Sequence, residues 1–183
     1  MVTATLDGRR RLVLALLLGS AVAVALGVYG NIHDPTGRSL VSLFFSAPIR
    51  AKVWLATAAF TAALFQLGSA LRMYGKLGSA PAPPWLGSVH RVSGTLAFLL
   101  TLPVAYHCLW SLGFQDFSTR VLIHSTVGCV FYGAFAAKVL IVRSKGLPGW
   151  ALPVAGGVVF GALTIMFWTS SFWFFTNVAF PGF

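Results

Sequence analysis

The sequence predicts an all-α integral membrane protein, a single bundle of five transmembrane helices spread over residues 1–183 with the N-terminus inside and the C-terminus outside. Three observations predict it. Of the 183 residues, 57% are hydrophobic and only 9% charged, and the mean hydropathy is +0.84, a balance foreign to a water-soluble domain. Five separate apolar runs can be read, at 12–30, 51–72, 88–112, 118–142 and 149–176. Each is long enough to cross a ~30 Å hydrocarbon layer at about 1.5 Å per residue. The thirteen Lys and Arg residues sit at the ends of these runs. With the N-terminus inside, nine face inward (Arg9, Arg10, Arg11, Arg72, Lys76, Arg91, Lys138, Arg143, Lys145) and four outward (Arg38, Arg50, Lys52, Arg120). That asymmetry follows the positive-inside tendency.

The first span opens with Arg9–Arg11 and continues through LVLALLLGSAVAVALGVYG. A cleaved signal peptide would show the same basic start, but its apolar core is about 7 to 15 residues, so a retained anchor is expected. Residues 31–50 form an outer loop holding Pro35, Gly37 and Pro48, with an aromatic patch suited to the interface. The second connector, YGKLGSAPAPPW at 74–85, is rich in proline and glycine and reads as an inner turn. Between the third and fourth spans, Gly113 is expected to stop one helix and Asp116 or Ser118 to cap the next. RSKGLPGW, at 143–150, closes the fourth span and starts the fifth near Pro148. The fifth ends in an aromatic belt, FWTSSFWFFTNVAFPGF.

Within this oily chain the histidines are the informative residues, because an ionisable group inside a span costs several kcal/mol unless it faces protein, water or a ligand. His107 lies five residues before Leu112, or ~7–8 Å deep, and His124 lies six residues after Ser118, or ~9 Å. The two share one layer on consecutive antiparallel helices. Two such imidazoles suit the two axial positions of one haem iron. Arg120 and Gly128 stand at i−4 and i+4 from His124, giving a stripe of cation for a propionate, ligand, and flat surface for a macrocycle. The bland reading is that the two histidines bond each other or backbone carbonyls.

His90, with Gly94 at i+4, has the same local arrangement at the inner end of the third span. It lies seventeen residues before His107, ~25 Å along the axis, so the two cannot hold one metal. Pro103, between them, disrupts the bond to Leu99 and can alter the helical phase. An inner haem would need another ligand near His90. Lys138 is in phase with His124 but reads more simply as an interface lysine. His90 would then meet a quinone, a propionate or a partner chain. His33, beyond the first span, reads as a loop histidine, with an outer ligand or a propionate contact as its other roles. Cys108 and Cys129 differ by ~10 Å in depth, too far for a disulfide, and read as small core residues.

HRVSG at the start of one span, a histidine near its end, and HSTVG at the start of the next resemble the haem-bearing core of cytochrome b561-like and ferric-reductase-like transmembrane proteins. The resemblance covers the third and fourth spans and part of the fifth. It implies haem b, one or two per chain, with His107 and His124 as iron ligands and His90 as a ligand of a second haem. Those families present their histidines in two pairs, closer together within a helix than the spacing here, and Lys138 stands where a fourth histidine would be expected. The outer pair is therefore the stronger assignment. The whole sequence also resembles a small bacterial membrane-protein family of unknown function, which implies a multi-pass protein of the bacterial cytoplasmic (inner) membrane.

Absences narrow the function further. The sequence has no glutamate, no carboxylate inside a span, no phosphate-binding loop, no dinucleotide fingerprint and no HExxH. Ser170 and Ser171 stand near no base, so no catalytic side chain is assigned. The scattered basic residues do not suit nucleic acid. The expected function is a b-type cytochrome carrying electrons between a quinone or inner donor and an outer acceptor. Its partners would be the lipid bilayer, a quinone, and a redox protein or larger membrane complex. If it is an enzyme, it is an oxidoreductase component. The alternative is a cofactor-free structural subunit of a larger complex, suggested by Gly156, Gly157 and Gly161 in the fifth span. A small-solute transporter is the third reading, and it lacks the broken helices in matched halves that such carriers show.

Overall fold

The computed structural model describes residues 6–38 and 42–178. Five helices are long and apolar enough to cross a membrane: α1 (Leu6–Ile32), α2 (Pro48–Met73), α3 (Leu86–Leu112), α4 (Thr119–Arg143) and α5 (Ala151–Asn177). All five expected spans are present, and no strand occurs among the described residues. The largest boundary difference is at α1, which begins six residues before its apolar run. Its first turn carries Asp7, a favourable charge at the positive end of the helix dipole, so the helix extends beyond the stretch that lipid requires.

The connectors stop the helices by local means. Gly113 adopts a φ of 71°, which ends α3, and Ser118 caps α4 by accepting from Val121 N through its hydroxyl. Pro48 occupies the first turn of α2, where its missing N–H leaves nothing unpaired. At the other end, Arg72 donates to the carbonyls of Leu77, Ala80 and Pro81 and so folds the α2–α3 connector over its own helix.

Packing follows residue size. α1 lies directly on α4 because Gly19, Ala23, Gly133 and Ala137 remove bulk where they cross. A Cβ added at Gly19 would come 2.6 Å from Gly133 O and 2.8 Å from Ala137 Cβ. Small residues permit this approach between backbones where no hydrophobic effect drives helices together in lipid. α2 packs on α3, α4 on α5, and α2 on α5. The consecutive helices α3 and α4 are not among the closely packed pairs. An aromatic core fills the middle, with Phe131 buried against Ala63, Ala162 and Leu163, and Phe98 stacked on Phe135 at 3.8 Å.

Two departures from regular α-helix occur, both at the end of the bundle carrying the α3–α4 hairpin. α3 finishes in a π-helical turn at Cys108–Leu112, and α5 contains another at Trp168–Phe172. The α3 turn leaves the Trp110 and Ser111 carbonyls to accept from Thr36 N and Gly37 N of the α1–α2 loop. His33 joins this cap, donating from Nε2 to Trp110 O at 3.2 Å while stacked between Tyr29 and Trp110. Its place is structural.

Candidate functional site

The gap between α3 and α4 at the hairpin end is a cavity of about 520 Å³. That lies within the roughly 300–1,000 Å³ usual for small-molecule and cofactor sites. Its walls come from four helices: Lys52, Val53 and Ala56 of α2; Val104, Ala105, Cys108 and Leu109 of α3; Arg120, His124, Gly128 and Tyr132 of α4; and Met166, Thr169, Ser170 and Trp173 of α5. Deeper in, Tyr132 Oη donates to Thr101 O at 3.0 Å and bridges α4 to α3. Ser171, wholly buried, donates to Val53 O at 3.1 Å and ties α5 to α2.

His124 is the most defined polar group of the wall. Its Nδ1 lies 2.9 Å from Thr169 Oγ1. That hydroxyl also reaches back to Ile165 O at 2.7 Å and Met166 O at 3.2 Å, carbonyls that only accept. A hydroxyl has one proton, and the helix carbonyls claim it, so Thr169 Oγ1 must accept from His124. The imidazole proton therefore sits on Nδ1 and the lone pair on Nε2. This is the tautomer of a histidine ready to ligate through Nε2, with an oxygen behind it fixing the ring.

One turn toward the surface, Arg120 donates from Nη1 to Thr169 O at 2.5 Å, and its guanidinium carbon lies 3.8 Å from the centre of the Trp173 ring. One turn deeper, a Cβ added at Gly128 would meet nothing closer than Met166 Cε at 3.9 Å, so glycine holds space open. Arg120, His124 and Gly128 thus line one cavity as a stripe of cation, imidazole and gap. Cys108 and Cys129 are free thiols that line the same cavity rather than sitting in a closed core.

His107 is placed differently. It is 7% exposed, its Nδ1 has no hydrogen-bond partner, and it is not among the residues lining the cavity, although the next residue, Cys108, is. The structure brings Arg120, His124 and Gly128 together and leaves His107 one helical position aside. For a planar, largely apolar cofactor such as haem b, His124, Gly128 and Arg120 fit. His124 is the one histidine among the residues that line the wall.

His90 and Gly94 belong to the opposite end. His90 Nδ1 lies 2.7 Å from Ser69 Oγ, and Gln66 Nε2 donates to His90 O and Ser93 Oγ, both at 2.6 Å. A Cβ at Gly94 would come 2.8 Å from Gln66 Oε1, so this glycine admits the glutamine of α2 rather than a flat cofactor. The cavity here, which Gln66, Gly94 and Lys138 help to line, holds only about 60 Å³. A second macrocycle does not fit, and none is proposed.

Lys52 and Thr169 were not singled out from the sequence. Thr169 opens a run of three hydroxyls, 169–171, inside an aromatic span, and such a run marks a helix whose carbonyls bond side chains. Lys52 carried a signal too, as a charge five residues into α2. Among described residues no cluster of three or more His, Cys, Asp or Glu is grouped to hold a bare metal ion. No curated protein and no solved structure gives a significant match to this chain. Residues 12–182 match the model of DUF6529, a family of unknown function, and the chain belongs to that family.

Proposed function

We propose that the protein is a membrane b-type cytochrome in which His124 would hold haem b in the hairpin-end cavity, with His107 of the facing helix, buried beside that cavity without lining it, as the other candidate ligand. The observation that carries the reading is the His124–Thr169 pair, which fixes an imidazole with its Nε2 lone pair left for a ligand beside a cavity of cofactor size. Bound haem would supply reversible one-electron chemistry, which no side chain here provides. The chain's own residues bind and insulate: Thr169 orients His124, Gly128 leaves room, Arg120 supplies a cation, and the apolar walls keep water away. His107 is buried with an unpaired Nδ1, and a buried polar atom left unpaired costs about 1–3 kcal/mol, so its surroundings do not satisfy it as they stand. In this reading electrons would pass between a membrane quinone or an inner donor and an outer acceptor.

Reduced-minus-oxidised absorption of the purified, haem-supplied protein tests the reading. A low-spin b-type spectrum is expected. His124→Ala should abolish haem retention, and His107→Ala should convert the spectrum to the high-spin, five-coordinate form. A folded protein that stays colourless overturns the proposal. It would favour the second reading, a cofactor-free subunit, which draws on Gly156, Gly157 and Gly161 of α5, where an added Cβ would meet nothing within 4 Å.

A further inference from the structure

We propose that Lys52 and Arg120 form one anion subsite at the cavity wall, built for a ligand whose apolar body carries carboxylates at one edge. The inference rests on the haem reading for the identity of the body: the carboxylates would then be the two propionates. A free amphiphilic carboxylate presents the same chemistry.

Lys52 stands on α2 and Arg120 on α4, so the two cations reach the cavity from different helices. Lys52, partly buried, is one of the residues that line the cavity wall. Among the described residues Lys52 makes no hydrogen bond or ion pair. Arg120 uses one donor on Thr169 O and its face on Trp173, which leaves most of its five N–H groups unspent.

Among the described residues no carboxylate balances these two charges: the three acidic side chains, Asp7, Asp34 and Asp116, do not line the cavity. Asp116 lies between Gln115 and Phe117, which do line it, yet forms no ion pair with either cation. Two cations without a carboxylate partner in a largely apolar wall favour a ligand that brings negative charge to them. Protein and ligand are then complementary in shape, apolar body to apolar wall, and in charge.

The test compares haem b with its dimethyl ester, which has the same ring and iron but neutral side chains. Both are titrated by absorbance into the purified full chain, wild type and Lys52→Met. Wild type should prefer haem b, and Lys52→Met should lose about tenfold or more of that preference, since a hydrogen bond to a charged group contributes about 1.5–3 kcal/mol. Lys52→Arg should restore it. Should the methionine variant misfold, Lys52→Gln, which removes the charge alone, serves for the same comparison. A wild type that binds haem and ester equally, or a preference unchanged in the Lys52 variants, overturns the subsite and leaves the haem reading standing. If wild type binds neither porphyrin, the haem reading fails. The subsite is then decided by tryptophan-fluorescence titration with dodecanoate and dodecanol. A tenfold preference for dodecanoate that disappears in Lys52→Met supports a free carboxylate ligand, and equal binding overturns the subsite.

Discussion

At His124 one hydroxyl determines which nitrogen is left for the cavity. Thr169 sends its proton to its own helix and accepts from Nδ1, so Thr169→Val should leave that N–H without an acceptor while keeping volume and the Arg120 contact to the residue 169 carbonyl. Partners behind a ligating histidine typically contribute about 10- to 100-fold in affinity. Haem dissociation followed by transfer to an apo-globin should therefore be about 10- to 100-fold faster in Thr169→Val and close to wild type in Thr169→Ser. Equal rates for valine and wild type would remove Thr169 from the site. Arg120, His124 and Gly128 were legible in the sequence because they are four apart on one helix, where spacing alone sets a shared face. Thr169 was not, because its role depends on α5 packing against α4, forty-five residues away in the chain. His107 shows the limit of depth arithmetic. Counting residues assigns it a depth but not its neighbours, and the structure buries it without placing it among the residues that line the cavity.

Among elements, α1 and α4 approach closely at their glycines while the glycines in the middle of α5 face open space, so two identical substitutions should differ. A Cβ at Gly133 would meet Gly19 O and come 2.8 Å from Ala23 Cβ, so backbone must move. At Gly157 it would meet nothing within 4 Å. Gly133→Ala should destabilise the bundle by about 1–3 kcal/mol through overpacking. Gly157→Ala should be neutral or stabilising by up to about 1 kcal/mol, from helix propensity. Thermal unfolding in detergent, followed by circular dichroism, measures both, and the opposite ranking would contradict this account of the crossing. The elements themselves were readable because length and apolarity suffice to define a span, and Gly113 and Ser118 act as stop and cap through local chemistry. The two π-helical turns were not readable. They are set by neighbours, such as the 36–37 backbone that takes up the freed carbonyls of α3, and no local pattern encodes such a partner.

For the whole molecule, the distribution of charge and the position of the cavity belong to one question. The end opposite the hairpin gathers Arg9, Arg10 and Arg11 at the start of α1, Arg72 and Lys76 after α2, Arg91 in α3, and Lys138, Arg143 and Lys145 at the close of α4. Arg11 donates to Lys145 O at 3.3 Å, so the start of α1 and the α4–α5 connector meet there. The hairpin end carries Arg38, Arg50, Lys52 and Arg120, of which Lys52 and Arg120 line the cavity. Setting those two aside as ligand-binding residues makes the contrast sharper, nine against two. Basic residues close to short loops are retained on the cytoplasmic side, so the cavity should open toward the outer leaflet and its ligand exchange with the outer face. Alkaline phosphatase, active only outside, should be active when fused after Asp116 or after Asn177 and inactive when fused after Gly78 in the α2–α3 connector. Activity at Gly78 with silence at Asp116 would invert the molecule and turn the cavity to the cytoplasm. His124, Lys52 and Arg120 would then have to serve an inner electron donor rather than an outer acceptor, with the same residues and the same ligand.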